Sequence, residues 1–324
     1  MAARIRCQYG EDGGSEENEE AMKPRAQIRM LSDGRRLHLH DGPIDLIVEA
    51  FGAPREVEAA YRAAAVRFVT VLDELCSELS SLRQASSSEA DWPCGTVARR
   101  MAAAVMPYAS QCFITPMAAV AGAVAEEILA AMVADGELSR AYVNNGGDIA
   151  LHLSAGEKVV IGMVQRPDRA SLFGTLLSTT VVHSTDPVRG IATSGWRGRS
   201  FSLGIADAVT VLADRAAAAD AAATIIANAV DLPGHPVVVR VPACELAPDS
   251  DLGNRPVTQA VGELTQEEVN QALRAGALTA ELLLRMGLIR SAALSLQGET
   301  LVVGALGESR MIATPVDERG LVHA

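Results

Sequence analysis

The middle third of the chain contains three short segments whose small and polar residues suit a ligand site. The first is residues 115–123 (TPMAAVAGA), where Thr115 and Met117 flank a proline that can open a helix. Small side chains at a helix start leave backbone N–H groups accessible to an anion. The same composition is typical of a tightly packed helix N-terminus, so this segment alone leaves both readings open.

The second segment is Asn144, Asn145, Gly146, Gly147 and Asp148. Adjacent glycines permit positive φ and let a ligand approach the backbone closely, and asparagine amides supply both donors and acceptors. Asn-Gly is also the strongest signal for a two-residue hairpin turn. Because a turn needs only one Asn-Gly step, the second glycine and the closing aspartate favour a binding function.

The third segment is residues 192–195 (ATSG), followed closely by residues 200–207 (SFSLGIAD). Alternating hydroxyls lie on one face of a strand, where they can bind a phosphate or a polar ring edge. An ordinary polar strand face is the alternative. The binding candidates here are Thr193, Ser194 and Gly195. The candidate catalytic residues, which would polarise a substrate or a water, are Ser200, Ser202 and Asp207.

Asp220 and Thr224 lie four residues apart in an alanine-rich segment, so a helix would place them on one face. A carboxylate beside a hydroxyl suits a hard, oxygen-seeking ion such as Mg²⁺, which often bridges phosphates. In the alternative reading Asp220 is simply exposed and Thr224 bonds back to its own helix.

Composition excludes several classes of protein. The 324-residue chain carries a formal charge of −12 and has no basic stripe, which argues against a nucleic-acid partner. The most apolar stretches, residues 115–133 and 216–230, are interrupted by glycine or charge, and we interpret them as buried helices rather than membrane spans. The N-terminus lacks a signal peptide, and five scattered cysteines suit reduced thiols, so a cytoplasmic location is expected.

The elements that must position these residues follow from local patterns. Residues 1–24, which include an acidic run at 11–20, are predicted to be a disordered tail. Ser32-Asp33-Gly34 predicts a hairpin, and residues 53–83 have the periodicity of a long helix. Further predicted helices span residues 96–105, 116–134 and 214–230, with Asp214 as a candidate cap.

The remaining predicted elements mix strands and helices without a regular βαβ period. Strands are predicted at 44–51, 142–143, 149–153, 159–164, 172–182, 208–212 and 236–241. A capping box at Thr265 opens one C-terminal helix, and Thr279 is predicted to cap a second. The fold class is therefore α+β. Residues 25–324 are predicted to form one domain, with the ligand region at 115–232 and a helical and hairpin extension at 245–324.

Taken together, the three segments resemble the ApbE-like superfamily, whose best-known members are FAD-dependent flavin mononucleotide transferases. Residues 117–148 look like its glycine-rich helix followed by a Gly-Gly-Asp turn. Residues 192–195 match its Ala-Thr-Ser-Gly, and residues 206–228 resemble its strand and Ala-Asp-x-x-Ala-Thr helix. The resemblance implies a T-fold-like two-layer architecture with mixed or antiparallel sheets. It also implies Mg²⁺ at Asp220 and Thr224 and an FAD site lined by residues 145–148 and 193–195.

The chain departs from the transferases at two motifs. Residues 118–124 lack the transferase lysine, and residues 200–207 stand where the transferases carry His-x-x-Asp-Pro. Residues 183–187 (HSTDP) have those letters but precede Thr193, which makes the match a coincidence. The pattern is closest to an uncharacterised branch of the superfamily marked by Ser-x-Ser-x-Gly-x-Ala-Asp.

Three functions remain as alternatives at this point. The first is an enzyme, transferase-like, that binds a flavin or another small heterocycle, with Mg²⁺. The second is a flavin-independent hydrolase or ring-opening enzyme on the same scaffold, since sites and not folds determine chemistry. The third is a non-catalytic binding or assembly protein that kept its pocket. In each case we expect a small-molecule ligand and a homodimer.

Overall fold

The structure, a computed structural model, describes residues 25–134, 136–164, 176–305 and 321–323. The predicted tail at residues 1–24 and the first part of the strand predicted at 172–182 lie outside the described residues. The strands are β1 (Gln27–Met30), β2 (Leu37–Asp41), β3 (Ile44–Gly52), β4 (Leu138–Asn145), β5 (Asp148–Leu153), β6 (Lys158–Val164), β7 (Leu176–His183), β8 (Gly190–Ser194), β9 (Ala208–Ala213), β10 (Val238–Pro242), β11 (Pro256–Val261), β12 (Ser291–Leu296), β13 (Glu299–Gly304) and β14 (Leu321–His323). The α-helices are α1 (Pro54–Ser77), α2 (Leu79–Leu82), α3 (Thr96–Val105), α4 (Val120–Val133), α5 (Ala216–Ala229), α6 (Ala243–Leu246) and α7 (Gln266–Arg285).

A large antiparallel sheet organises the fold, which is α+β as predicted. Its strands run in the order β1-β2-β3-β4-β5-β8-β9-β12-β13. Direct pairing places Arg29 opposite His38, His38 opposite Ile47, and Ile47 opposite Asn144. Because directly opposed residues share a face of the sheet, side chains far apart in sequence form one row across four strands. The same sheet continues through β5, β8 and β9, so it carries the candidate segments at 144–148 and 192–195, while residues 115–123 lie in the helical layer.

One face of the large sheet is covered by helices. Leu39, Leu46 and Val143 point from the strands into this layer, where they meet Phe68 of α1 and Ile128 of α4. All five side chains are fully buried. Burying each side chain of this size contributes about 1.5–3 kcal/mol to the free energy of folding. The contact between the sheet and the helices therefore stabilises both layers.

The opposite face of the central strands packs against a second, three-stranded sheet of order β14-β6-β7. Ile149, Ile191 and Leu212 of the large sheet meet Ile161 and Val182 of the small one in a separate apolar cluster. The parallel pairing of β14 with β6 makes the small sheet mixed. Strands β5, β8 and β9 are therefore covered on both faces, which explains their nearly continuous apolar sequences.

Alanine and glycine let α4 and α5 approach each other very closely. A Cβ atom added at Gly122 of α4 would lie 2.3 Å from the carbonyl oxygen of Ala216 in α5. Most of the buried residues of α5 are alanines, so the helix also lies close to β8 and β9. This close packing brings the first turns of α4 and the polar face of α5 together beside the sheet.

Two helix predictions differ from the structure. The helix predicted from residue 116 begins as a 3-10 turn, Pro116–Ala119, before α4 starts. The helix predicted over 53–83 breaks at Glu78, whose carboxylate accepts hydrogen bonds from the backbone N–H groups of Cys94 and Gly95 at 2.7 Å. These hydrogen bonds tie the break in the helix to a loop that is distant in sequence. The helical periodicity of residues 53–83 contains no information about that loop.

Two predicted caps are wrong and one is confirmed. Arg215, not Asp214, occupies the N-cap position of α5, without a side-chain cap. Thr279 lies inside α7 and donates to the carbonyl oxygen of Ala275 at 3.4 Å, so the two predicted C-terminal helices are one. The capping box at Thr265 is formed with Glu268 as predicted.

Residues 200–207 are not a strand, so the prediction that their hydroxyls alternate on one strand face is wrong. Their backbone groups bond to other elements instead. The N–H of Leu203 donates to the Asn228 side chain at 2.9 Å, and the N–H of Ile205 donates to the carbonyl oxygen of Val230 at 2.8 Å. This segment is therefore a loop held against the C-terminal end of α5.

One helical stretch, Pro116–Val133, is long and apolar enough to cross a membrane by length and composition. In the fold, 72% of it is buried against the sheet and its neighbouring helices. Such burial is typical of a core helix, in agreement with the interpretation made from sequence.

Candidate functional site

The main cavity of the described chain lies where the β4–β5 turn, the end of β8 and the helix α5 meet. Its volume is about 630 Å³, within the range of sites for small-molecule ligands. It brings together most of the predicted site residues: Asn144, Asn145, Gly146, Gly147, Asp148, Thr193, Ser194, Gly195, Ser200, Asp220 and Thr224. Further walls come from the first hairpin and from the loop after β8.

The segment from Asn144 to Asp148 is both a hairpin turn and a wall of the cavity. Gly146 has φ of 65° and Gly147 has φ of 110°, a pair of positive values that the two-residue turn between β4 and β5 requires. The N–H of Gly147 donates to the Asn144 side-chain oxygen at 2.8 Å, which fixes the turn. Since Gly146 carries no Cβ, the guanidinium of Arg199 can lie against the turn, where a Cβ would be 1.5 Å from one of its terminal nitrogens.

The end of β8 is tied to this turn and to the next strand. The N–H of Thr193 donates to a carboxylate oxygen of Asp148 at 3.2 Å, and the hydroxyls of Thr193 and Thr210 are 2.9 Å apart. A Cβ at Gly195 would lie 2.6 Å from the carbonyl oxygen of Asp207. Glycine at this position therefore allows the chain leaving β8 to turn close to the neighbouring backbone.

Asp220 is a buried carboxylate in the floor of the cavity. It is 7% exposed and accepts a hydrogen bond from the N–H of Gly122 at 3.0 Å. Burial raises the pKa of Asp220 to about 6, because the low-dielectric surroundings disfavour the charged form. The start of α4 thus donates its free N–H groups to this carboxylate, which the composition of residues 115–123 indicated in general terms.

Asp148 is the second buried carboxylate in the floor. Burial first, and then repulsion from the nearby Asp220, raise the pKa of Asp148 well above its usual range. Two neighbouring carboxylates in a low-dielectric site resist simultaneous ionisation. A proton or a cation between them removes that conflict, so this pair is a natural place for a positively charged ligand.

Asn145 adds a third oxygen to the floor. Its side chain is 1% exposed, and its amide nitrogen donates to the carbonyl oxygen of Ala121 at 3.2 Å. Its amide oxygen has no hydrogen-bond partner within the described residues. A buried unpartnered oxygen costs free energy unless something binds it.

The donor set of the floor fits a hard cation. It consists of the carboxylates of Asp148 and Asp220, the amide oxygen of Asn145 and the hydroxyl of Thr224, and such oxygen ligands are what Mg²⁺ prefers. The described residues contain no group of three or more His, Cys, Asp or Glu side chains placed to hold a metal. Amide, hydroxyl and ligand oxygens would therefore have to complete the coordination.

A cationic rim faces this acidic floor, and sequence reasoning missed it. Arg29, His38 and Asp45 of the first hairpin and the following strand line the cavity, as does Arg199 of the loop after β8. The Asp33-Gly34 turn predicted the hairpin, in which Arg29 pairs with His38. What it did not predict is that Ile47 pairs with Asn144, which brings the hairpin beside the ligand segments.

Two candidate catalytic residues do not line the cavity. Asp207 bonds to Arg197 Nε at 2.5 Å and to the N–H of Gln297 at 2.6 Å, so each of its oxygens has a partner in the fold. Ser202 accepts from the N–H of Gly204 at 3.2 Å and lies 3.3 Å from the Asn228 side-chain oxygen. Both residues anchor the loop after β8.

Thr115 and Met117 line a smaller neighbouring cavity of about 50 Å³ instead of the main one. The Thr115 hydroxyl donates to Asp251 at 2.5 Å. Ser200 and Thr224 border both cavities, so the small one continues the main one. Its other walls are mostly apolar: Phe113, Phe201, Leu203, Ile225 and Leu252.

Comparison with known proteins identifies a family that matches most of the chain. A protein-family model described as "AbpE bacteria" matches residues 28–303. The chain belongs to this ApbE-related family. The match extends over the first hairpin, all three candidate segments and α7, so family membership covers every wall of the cavity.

The chain is also similar to curated UPF0280 proteins of methanogenic archaea. The chain is 41% identical to one from Methanopyrus kandleri over 133 residues, which is 41% of this chain and 48% of the relative. It is 40% identical to one from Methanococcoides burtonii over 123 residues (38% and 48%). It is 38% identical to one from Methanothermobacter thermautotrophicus over 151 residues (46% and 56%). The chain spans about half the length of these relatives.

Proposed function

We propose that this protein binds a flavin, or another small heterocyclic ligand, in the main cavity together with Mg²⁺. The observation that carries the proposal is the cavity floor, where two buried carboxylates and an unpartnered amide oxygen meet the polar face of α5. Membership of the ApbE-related family supports a flavin as the ligand class.

Asp220 and Thr224 are the proposed metal ligands, with Asp148 and Asn145 beside them. When bound, Mg²⁺ would neutralise charge on a phosphate or pyrophosphate of the ligand. The chain's own contribution is to keep the two carboxylates close and largely shielded from water. The backbone N–H of Gly122 orients Asp220, and the N–H of Thr193 orients Asp148.

The proposed place for the heterocycle is the region between the glycine turn and the small apolar cavity. Gly147 carries no Cβ, so its backbone groups can meet a ring edge, while Arg199 lies over Gly146. Phe201 and Leu203 of the small cavity offer an apolar surface, with Ser200 and Thr224 at the boundary. A planar ligand with one polar end would match a site that is polar at the glycine turn and apolar in the small cavity.

The hydrolase alternative has less support from the geometry. It relied on Asp207 and Ser202 to polarise substrate or water, yet both lie outside the cavity and are engaged in the fold. Of its three residues only Ser200 lines the cavity. A non-catalytic binding protein remains compatible with the same ligand site, and the absence of the transferase lysine favours no particular reaction.

Ligand titration of the purified protein tests the proposal. We expect riboflavin, FMN or FAD fluorescence to be quenched on binding, and Mg²⁺ to increase FAD affinity for the wild type but not for Asp220→Asn. Thr224→Val, which keeps the shape of the side chain, should weaken the Mg²⁺ effect alone. Wild-type protein that binds neither a flavin nor Mg²⁺ in calorimetry would contradict the proposal.

A further inference from the structure

We propose that Arg29 and Arg199 form an anion-binding pair at the cavity rim, and that the ligand therefore carries a phosphate or carboxylate group. The inference deepens the proposed function, on which it rests for the ligand site but not for the identity of the heterocycle. The two arginines come from β1 and from the loop after β8, 170 positions apart, and both line the main cavity.

Arg199 is a cation lying directly over the glycine turn. A Cβ atom added at Gly146 would lie 1.5 Å from its terminal nitrogen, so the guanidinium occupies the space that glycine leaves empty. Across the described part of the chain, Arg199 forms neither a hydrogen bond nor a close ion pair. Its charge is felt by Asp148, whose raised pKa it partly lowers. A guanidinium held at a cavity without a partner leaves its donors for a ligand.

Arg29 is oriented by a chain of hydrogen bonds along the first hairpin. Its Nε donates to His38 Nδ1 at 3.0 Å, and His38 Nε2 lies 2.6 Å from a carboxylate oxygen of Asp45. Because Nδ1 accepts, the Nε2–H of a neutral His38 donates to Asp45. The two terminal nitrogens of Arg29 form no hydrogen bond to any described residue. This chain of hydrogen bonds therefore orients Arg29 and leaves its two terminal guanidinium nitrogens available to a planar oxyanion.

Charge balance shows why the occupied cavity would attract an anion. Asp45, Asp148 and Asp220 face Arg29 and Arg199, while Arg197 is engaged with Asp207 and lies outside this balance. A divalent cation on the floor together with the two arginines exceeds the three carboxylates by one positive charge. A phosphate or carboxylate placed between floor and rim would thus be bound from both sides, which is the usual arrangement for recognising such groups.

Calorimetry with simple anions tests the pair directly. In the presence of Mg²⁺, inorganic pyrophosphate and benzoate serve as phosphate and ring-carboxylate probes. We expect at least one to bind the wild type, with affinity reduced about tenfold by Arg29→Gln or Arg199→Gln and further by both, as loss of a charge-assisted hydrogen bond predicts. Which probe binds identifies the anionic group. Arg62→Gln, which alters an exposed arginine paired with Glu58 on α1, should bind as the wild type does.

Two results would overturn the inference: wild-type protein that binds neither anion, or a folded double variant that binds them as tightly as the wild type. Uncharged riboflavin separates this inference from the proposed function. Arginine-dependent anion binding without any flavin binding would leave the anion pair standing and remove the flavin. Flavin binding that neither arginine substitution changes, without anion binding, would keep the proposed function and remove the anion-binding pair. Thermal denaturation of each variant checks that the fold is intact.

Discussion

At the scale of single residues, the cavity floor combines groups whose burial is unfavourable for stability. Asp148 and Asp220 are buried beside each other, and each would be easier to accommodate as a neutral group. Asn145 keeps a buried oxygen without a partner among the described residues. Clusters of such unfavourable groups in a cavity are typical of functional sites rather than of structural cores.

Replacing Asp220 by Asn should stabilise the metal-free protein above pH 6. The pKa of Asp220 is raised from 3.8 to about 6, so the native state binds more protons than the unfolded state between these values. Wild-type stability therefore falls as pH rises from about 4 to about 6, and the ionised state costs up to about 3 kcal/mol above that range.

Urea denaturation at pH 4 and pH 8 measures this effect. We expect the stability difference between Asp220→Asn and wild type to be larger at pH 8, and excess Mg²⁺ to stabilise only the wild type. The N–H of Gly122 keeps an acceptor in the variant. A variant that is less stable than wild type at pH 8 without metal would contradict the account of the floor.

Asp207→Asn should behave in the opposite way, as a structural change. Each carboxylate oxygen of Asp207 has a partner, one in Arg197 and one in the N–H of Gln297. Loss of the charged partner should cost about 1–3 kcal/mol in the free energy of unfolding. Ser200→Ala is the control, because Ser200 lines the cavity. Unchanged stability of Asp207→Asn, with binding lost, would restore Asp207 as a site residue.

At the scale of elements, most predictions from neighbouring residues were confirmed, although the caps predicted at Asp214 and Thr279 were wrong. The first and last hairpins, α3 and the capping box of α7 follow from neighbouring residues. Glu78, where the long helix breaks, accepts hydrogen bonds from Cys94 and Gly95, and residues 200–207 donate to Asn228 and Val230. Local patterns contain no information about such distant partners, which explains why these predictions were wrong.

The candidate site shows the same division. The turn glycines, the end of β8 and the spacing of Asp220 and Thr224 were recognisable from sequence because each lies within one element. The rim was not, because Arg29 reaches the cavity only through the pairing of β3 with β4. The position of Asp207 outside the cavity could not be predicted, because its partner Gln297 is supplied by the turn between β12 and β13.

Gly122→Ala should disrupt the contact between α4 and α5. The added methyl would lie 2.3 Å from the carbonyl oxygen of Ala216, and that oxygen belongs to a helix backbone that cannot move without displacing Asp220. We expect a loss of several kcal/mol, beyond the usual 1–3 kcal/mol of overpacking. Chemical denaturation measures it, with Gly198→Ala as control, where the nearest atom is at 3.2 Å. Equal stability of the two variants would contradict this packing.

At the scale of the whole molecule, the large sheet serves as a common frame for distant segments. Its helix-covered face holds the core, and its middle strands carry the ligand region between two covering layers. The rim combines the first hairpin with the loop after β8, and the floor combines the β4–β5 turn with α5, so the cavity forms only when β1 to β5 and β8 are assembled. Loss of any one of β1 to β4 should therefore abolish binding even if the rest remained folded.

The expected homodimer belongs to this scale and stays a prediction. One chain has a mass of 33.9 kDa. Sedimentation equilibrium across a range of protein concentrations should give twice this mass, whereas a single-chain mass at the highest concentration would contradict the prediction. Repeating the measurement with FAD and Mg²⁺ shows whether ligand binding and association are coupled.

The central claim is that one cavity, with an acidic floor and a cationic rim, holds the ligand. The most direct measurement is a crystal structure of the protein grown with FAD and Mg²⁺. The account predicts density for a cation against Asp220, Asp148 and the amide oxygen of Asn145, and for an anionic group facing Arg199. A ligand bound elsewhere on the protein, or a cavity without either density under conditions in which binding is measured in solution, would contradict it.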